Sequence, residues 1–232
     1  MAAINAASLA GFPAFAGVDP TQLAEILREA RSTHHAKGSH VFEQGADAHS
    51  FFVLLHGHVR AVKVTPAGEQ IVVRYIVPGE LFGVATAIGR ATYPATAVAV
   101  DDSVVLSWPS TAWKRVVASA PALAANTLQT VGDRLQEAHA RVMEISTEQV
   151  EPRIARALLR LAKQAGRKVE DGIALDFPIS RQDIAQMTST TLHTVSRIMS
   201  GWEQRGLVES SRRGIVIRDP HKLFLLGEGS GG

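Results

Sequence analysis

Hydrophobic positions along this chain change their period several times, and each change marks a different kind of element. Near the N-terminus, Asp19-Pro20-Thr21-Gln22 places a capping carboxylate, a first-turn proline and a glutamine three residues after the cap. Leu23, Ile26 and Leu27 follow on one helical face, with Phe12 and Phe15 just upstream to anchor the segment. Arg31 and His34-His35 read as the exit from this helix. From residue 37 to 108 the period falls to two. Short β-rich runs at 41–42, 51–55, 59–64, 71–77, 95–100 and 104–108 are separated by turn signals. These are Gly38, Gly45-Ala46-Asp47, Gly57, Pro66-Ala67-Gly68, Pro78-Gly79 and Asp101-Asp102. The stretch GELFGVATAIG (79–89) reads as a loop entering a helical turn. Many short strands with glycine-rich turns predict a compact barrel or sandwich.

Strand signals end after Pro121. Ala124, Leu128, Val131, Leu135, Ala138, Val142 and Ile145 then recur in alternating steps of four and three, the spacing of a heptad seam. A helix packed only on its own barrel would show a wider apolar stripe. The narrow seam predicts pairing with a second copy, and small Ala138 permits close approach. The flanking positions Thr127, Arg134, His139 and Arg141 form no opposite-charge pattern, so charge does not set the orientation.

A further helix is predicted over 152–164, with Ile154, Ala157, Leu158 and Leu161 as its apolar face and Ala165-Gly166 at its end. A hairpin around Asp171-Gly172 follows. Two short helices come next. Ser180 caps the first, with Asp183 three residues later in a capping-box pattern and Ile184 and Ala185 on its apolar side. Thr188-Ser189 breaks the period, and Thr190 caps the second helix, whose apolar stripe is Val195, Ile198, Met199 and Trp202. Gly206 is placed to end it in a left-handed conformation. The opposite face carries His193, Ser196, Arg197, Ser200 and Gln204, a polar surface with one strong cation, suited to base edges in a major groove. A solvated helix face is the plainer alternative. Val208 and residues 215–217 then flank a basic tip, Arg212-Arg213-Gly214, which reads as a wing able to touch phosphate. The candidate contacts to double-stranded DNA are therefore Ser180, Arg181, Gln182, Thr190, Thr191, His193, Thr194, Ser196, Arg197, Ser200, Arg212 and Arg213.

Charge sharpens this division. The 232-residue chain has a net charge of +2. Residues 151–222 hold 13 Lys and Arg against 8 Asp and Glu, whereas residues 1–150 hold 11 against 13. The basic half is the half with the two-helix unit, as phosphate contact requires. Cysteine is absent, which excludes disulfides, thiol redox switches and cysteine-ligated iron–sulfur clusters. There is no apolar run of membrane-spanning length, and the N-terminus lacks a basic leader, so the expectation is a cytoplasmic protein without membrane contact. No nucleophile elbow, HExxH, P-loop or GxGxxG pattern appears, and no metal-ligand spacing. The reading is a regulator and not an enzyme; a ligand-binding module without a DNA role is the competing class. It comprises a barrel sensor domain over 1–118, a dimerisation helix over 119–147, a DNA-binding domain over 148–226 and a disordered glycine-rich tail over 227–232.

The order of these parts, with PGELFG (78–83) and SRQDIAQMTSTTLHTVSRIMSGWEQRGLV (180–208), resembles the Crp/Fnr family of bacterial transcription regulators, named for the cyclic-AMP receptor protein and the fumarate–nitrate regulator. The resemblance implies an α+β fold: a cyclic-nucleotide-binding-like β-barrel (jelly roll), a long dimerisation helix and a winged helix-turn-helix. It implies a homodimer on a pseudo-palindromic site with TTG-like half-sites, and RNA polymerase as the partner of an activator. Arg197 matches the arginine that grips guanine, and Ser196 a serine of the fumarate–nitrate branch. His193 stands where that branch usually has glutamate, and Leu192 where the cyclic-AMP branch has arginine. The resemblance places an effector pocket at Gly79, Glu80, Leu81, Phe82, Arg90, Tyr93, Ala95 and Thr96. Tyr93-Pro94-Ala95 stands where cyclic-nucleotide members have Arg-Ser-Ala, so a buried phosphodiester would lack its charge partner and cyclic AMP is disfavoured. Closer similarity to the cysteine-free nitrogen-oxide-type members leaves nitric oxide sensed through haem, or another small effector, as the signal. Axial ligands are available among His34, His35, His40, His56, His58 and His139, none singled out; His56 and His58 read as solvated turn residues.

Overall fold

The computed structural model describes residues 9–211 and 214–229. Contacts divide the chain into two compact units: residues 1–64 with 75–137, and residues 65–74 with 138–232. In the first, helix α1 (Pro20–Arg28) starts with the expected capping box: Asp19 accepts from the Thr21 amide at 2.8 Å, and Gln22 accepts from the Asp19 amide at 3.3 Å.

The strands are β1 (Arg31–His35), β2 (His40–Phe42), β3 (Ser50–His56), β4 (Val59–Val64), β5 (Gln70–Ile76), β6 (Leu81–Phe82), β7 (Thr96–Ala99) and β8 (Ser103–Pro109). They form two four-stranded sheets, ordered β1-β8-β3-β6 and β2-β7-β4-β5. Strand β3 shows why the apolar run at 51–55 does not alternate with polar residues. Phe52 and Leu54 face a core that also takes Val59, Ile76 and Ala97 from the other sheet. Phe51 and Val53 face a second core with Phe15, Leu23, Ile26, Trp108, Val116 and Leu123. A strand buried on both faces reads as a continuous apolar run. The indole of Trp108 stacks on Phe51 with centroids 5.4 Å apart and donates to the Ile26 carbonyl at 2.7 Å, fixing α1 to this face.

Two elements add to the expected order, and one reading is corrected. Residues 31–35 are not merely a helix exit; they form β1, paired with β8 from Arg31 opposite Ser107 to His35 opposite Ser103. Its side chains are mostly exposed, so no hydrophobic alternation announces it. A short helix α2 (Trp113–Ser119) intervenes before the long helix α3 (Pro121–Thr147). His58 is half-buried and not a free turn residue: its amide donates to Asp101 Oδ1 at 2.6 Å and its Nδ1 lies 2.8 Å from Asp101 Oδ2. The preceding Gly57 has φ +80°, and a Cβ there would sit 2.5 Å from Ser103 Oγ and 2.6 Å from the Asp102 carbonyl oxygen. That close approach requires glycine.

In the second unit, α4 (Val150–Ala165) buries Ile154, Ala157, Leu158 and Leu161 as its pattern predicts. It is followed by β9 (Arg167–Val169), β10 (Gly172–Leu175), α5 (Arg181–Met187), α6 (Leu192–Gln204), β11 (Val208–Ser211), β12 (Gly214–Ile217) and α7 (Pro220–Gly227). The sheet order is β11-β12-β10-β9. Helix α7 was not anticipated. Gly227, expected in an unstructured tail, is buried at its end, with Arg156 close by; residues 230–232 lie outside the described residues.

Candidate nucleic-acid interface

The two-helix unit is assembled from local signals that the structure realises in detail. The Ser180 hydroxyl accepts from the Asp183 amide at 3.0 Å, and the Asp183 carboxylate accepts from the Ser180 amide at 2.9 Å. This reciprocal box starts α5. The helix ends where the Thr188 amide and hydroxyl both donate to the Ile184 carbonyl, the hydroxyl at 2.7 Å. Ser189 then takes φ +51°, the only positive φ outside glycine among the described residues. This left-handed residue turns the chain between the helices. The cap of α6 is Thr191, one residue later than expected: its hydroxyl accepts from the Thr194 amide at 3.1 Å. The Thr190 amide instead closes the turn onto the Ala185 carbonyl at 3.0 Å.

Val195, Ile198, Met199 and Trp202 of α6 are buried. The Trp202 indole donates to Glu151 at 2.8 Å, so α4 supports the helix from behind. The outward face presents His193, Arg197 and Gln204 as exposed side chains, with Ser196 and Ser200 half-buried between them. Arg197 makes no hydrogen bond or ion pair among the described residues, and its guanidinium is free to act outside the chain. The arrangement can deliver a bidentate donor pair to an acceptor edge such as guanine O6 and N7.

Arg181 and Ser200 are placed differently. Arg181 Nη2 bonds both carboxylate oxygens of Glu203 at 3.0 and 2.9 Å. Its Nη1 donates to the Ser200 hydroxyl at 3.2 Å and the Ser196 carbonyl at 3.4 Å. Gln182 is exposed at the start of α5. The wing exists: β11 and β12 pair from Val208 opposite Ile217 to Ser211 opposite Gly214. Arg212 and Arg213 at its tip lie outside the described residues. Arg218 crosses the ribbon, pairing with Glu209 at 2.5 Å and Asp171 at 3.0 Å. Sequence reading missed Glu203 and Glu151, whose partners lie on other helices.

The seam on α3 is exposed in the single chain. Leu128 is 74% exposed, Leu135 54% and Val142 61%; Ala138 and Ile145 are also exposed, while Ala124 and Val131 are half-buried. Met143, absent from the heptad reading, is 62% exposed beside Val142. The flanking arginines turn inwards. Arg134 donates to the Leu81 carbonyl at 2.7 Å, and Arg141 donates to that of Val73. Their charges serve backbone acceptors, which explains why they show no interhelical charge pattern.

In the barrel, Leu81, Phe82 and Tyr93 are core residues, Glu80, Ala95 and Thr96 are half-buried, and Arg90 is exposed. Gly79 is buried at φ +89° against Phe12 and Pro13. Tyr93 is 4% exposed and stacks on Phe42 with centroids 3.9 Å apart. Its hydroxyl donates to the Ser50 carbonyl at 2.7 Å and accepts from the Ser50 amide at 3.1 Å. Burial pushes this hydroxyl above the ordinary phenol range, partly offset by the Ser50 contact. Phe42, Phe52, Phe82 and Tyr93 thus form one aromatic cluster.

Residues 32–120 match the cyclic nucleotide-binding domain family, and residues 152–225 match the Crp-like helix-turn-helix domain family. A cyclic AMP receptor protein from Thermus thermophilus is 26% identical over 209 residues, spanning 90% of this chain and 94% of that protein. The nitrogen fixation regulation protein FixK from Bradyrhizobium diazoefficiens is 26% identical over 211 residues, spanning 90% of this chain and 87% of that protein. The structure of FixK2 from Bradyrhizobium japonicum superposes with a TM-score of 0.74 at 22% identity, over 85% of this chain and 96% of that one, and so shares the fold.

Proposed function

Because the chain belongs to the Crp/Fnr family of transcription regulators, we propose that it acts as a homodimer that presents two α6 helices to successive major grooves of a two-fold symmetric, TTG-like DNA site. The observation that carries this reading is the outward face of α6, where Arg197 is exposed and uncommitted among the described residues while the opposite stripe, Val195, Ile198, Met199 and Trp202, is buried. The apolar seam on α3 supplies the means of pairing, with Leu128, Leu135, Val142 and Met143 all facing solvent in one chain. Half-sites then lie about one helical turn apart, about 34–36 Å. RNA polymerase enters as a partner in the activator case.

For the barrel, we propose an effector other than a cyclic nucleotide. At position 93 the expected arginine is replaced by a buried tyrosine whose hydroxyl is already bonded twice to Ser50. Arg90 is exposed and three residues early. The second reading is a cyclic-nucleotide-dependent regulator, favoured by the family match of the barrel and by the Thermus relative's name. Calorimetric titration with cyclic AMP separates the two: no heat is expected, and saturable binding that raises DNA affinity would establish the second. Haem, the route to nitric oxide sensing, needs a ligand facing an apolar space. His58 is bonded to Asp101, His40 to Glu43, and His34, His56 and His139 are exposed; His35 is half-buried on β1, an edge strand whose side chains are mostly wet. These positions do not fit an axial ligand within the barrel. Absence of a Soret band after haem reconstitution is the expected result.

The DNA reading is tested by selecting binding sites for the full chain from a random duplex pool. A symmetric motif with half-sites one turn apart is expected. Recovery of an asymmetric motif, or no enrichment, would overturn the proposal.

A further inference from the structure

Arg181 sits at the first position of α5, next to the capping box, where a cation is ordinarily assigned to the phosphate backbone. Its surroundings point elsewhere. The guanidinium is turned onto α6, where it meets three acceptors spaced along nearly two helical turns: the Ser196 carbonyl at 3.4 Å, the Ser200 hydroxyl at 3.2 Å and the Glu203 carboxylate at 3.0 and 2.9 Å. The pair is partly shielded, with about a third of each side chain exposed: 32% for Arg181 and 30% for Glu203. A planar guanidinium spread over a carboxylate and a hydroxyl is committed in direction as well as in charge. Ile184 and Ala185 of α5 and the stripe of α6 are also buried, and the Thr190 amide closes the turn onto the Ala185 carbonyl, but apolar burial is non-directional and defines rotation weakly.

We infer that Arg181 is a positioning residue: with Glu203 and Ser200 it forms a clamp that fixes the rotation of α6 on α5, and hence the direction in which Arg197 meets the bases, instead of neutralising a DNA phosphate. Ser200 belongs to this clamp and not to the base-reading set. The inference rests on the proposed DNA-binding role and refines which residues of the two-helix unit carry it.

The two roles predict opposite signs. Glu203→Gln removes a negative charge near the DNA-facing surface and loosens the clamp. If Arg181 served a phosphate, this substitution would release it and tighten binding. As a clamp, Glu203→Gln weakens binding by about three- to tenfold, the same direction as Arg181→Gln, and the double variant is no worse than either single one. Arg181→Lys keeps the charge but not the fork; it behaves like Arg181→Gln in a clamp and like the parent in a phosphate contact. The exchanged pair Arg181→Glu with Glu203→Arg regains affinity only in a clamp.

The experiment is fluorescence anisotropy of the full-length dimer on its selected duplex and on duplexes with one base pair changed, across a salt series, with thermal melting confirming that each variant is folded. Loss of discrimination between correct and changed duplexes in Arg181→Gln, with an unchanged slope of log affinity against log salt, is expected. A slope reduced by about 1.8, for two phosphates lost per dimer, or tighter binding by Glu203→Gln, overturns the inference. Failure of the unsubstituted protein to bind any duplex strikes instead at the DNA-binding reading itself.

Discussion

Leu128 offers a direct test of the dimer seam. It lies on α3 and is 74% exposed in the single chain, so truncating it costs the isolated chain little. Leucine to alanine removes three carbons, at about 0.8 kcal/mol each when buried, or about 2.4 kcal/mol. Scaled by the exposed fraction, about 1.8 kcal/mol remains to be gained per copy on pairing. A symmetric interface uses the residue twice, which gives about 3.5 kcal/mol and a dimer dissociation constant weakened by roughly 400-fold for Leu128→Ala. Sedimentation velocity across a dilution series measures this. Thermal melting of the diluted monomer should be unchanged, because the side chain faces solvent there. A dissociation constant that shifts by less than about threefold, or an unsubstituted protein that stays monomeric throughout, refutes the assignment of the seam.

Three further outcomes are expected. Ser180→Ala removes the hydroxyl of the capping box and a partner of the buried Asp183, so urea unfolding should show a loss of about 1–2 kcal/mol. Ser189→Gly relieves the left-handed turn residue at φ +51° and should stabilise by about 0.5–1 kcal/mol in the same assay; destabilisation would mean that the serine side chain contributes more than its strain costs. His35 is held below the ordinary histidine value of 6.5, first by burial and then by the neighbouring His34 charge, against a raising contribution from the His40 backbone. Its unfolded form therefore binds more protons in the window just below 6.5. Stability is full above that value and falls as pH drops through the window. His35→Gln should flatten this part of a melting-temperature profile taken between about pH 7.5 and about 5.5.

The parts of the fold that were legible in the sequence are those whose causes are local. The capping residues Asp19 and Ser180 and the buried stripe of α6 each depend on residues three or four apart, and each is found in the structure, as is the long helix α3 that carries the heptad spacing. Strand β1 was missed because its hydrogen bonds to β8 come from residues about 70 positions away, while its own side chains stay wet. His58 was misread for the same reason: Asp101, 43 residues on, is brought to it by the strand pairing. Thr190 and Thr191 are equally good capping types, and only the left-handed Ser189 decides which one starts α6. In the candidate site, the outward position of Arg197 was legible from its helix face, but the ion pair of Arg181 was not, because Glu203 lies on another helix and only tertiary packing turns the guanidinium towards it.

Reading of DNA by α6 through Arg197 is put to the test by comparing Arg197→Ala with the parent on the selected duplex and on a set with each half-site base pair changed in turn. Discrimination is expected to disappear at one base pair of each half-site, by about 1–3 kcal/mol, or roughly five- to 150-fold, while preferences at the other positions persist. An Arg197→Ala protein with the parent's affinity and the parent's full set of base preferences would contradict it.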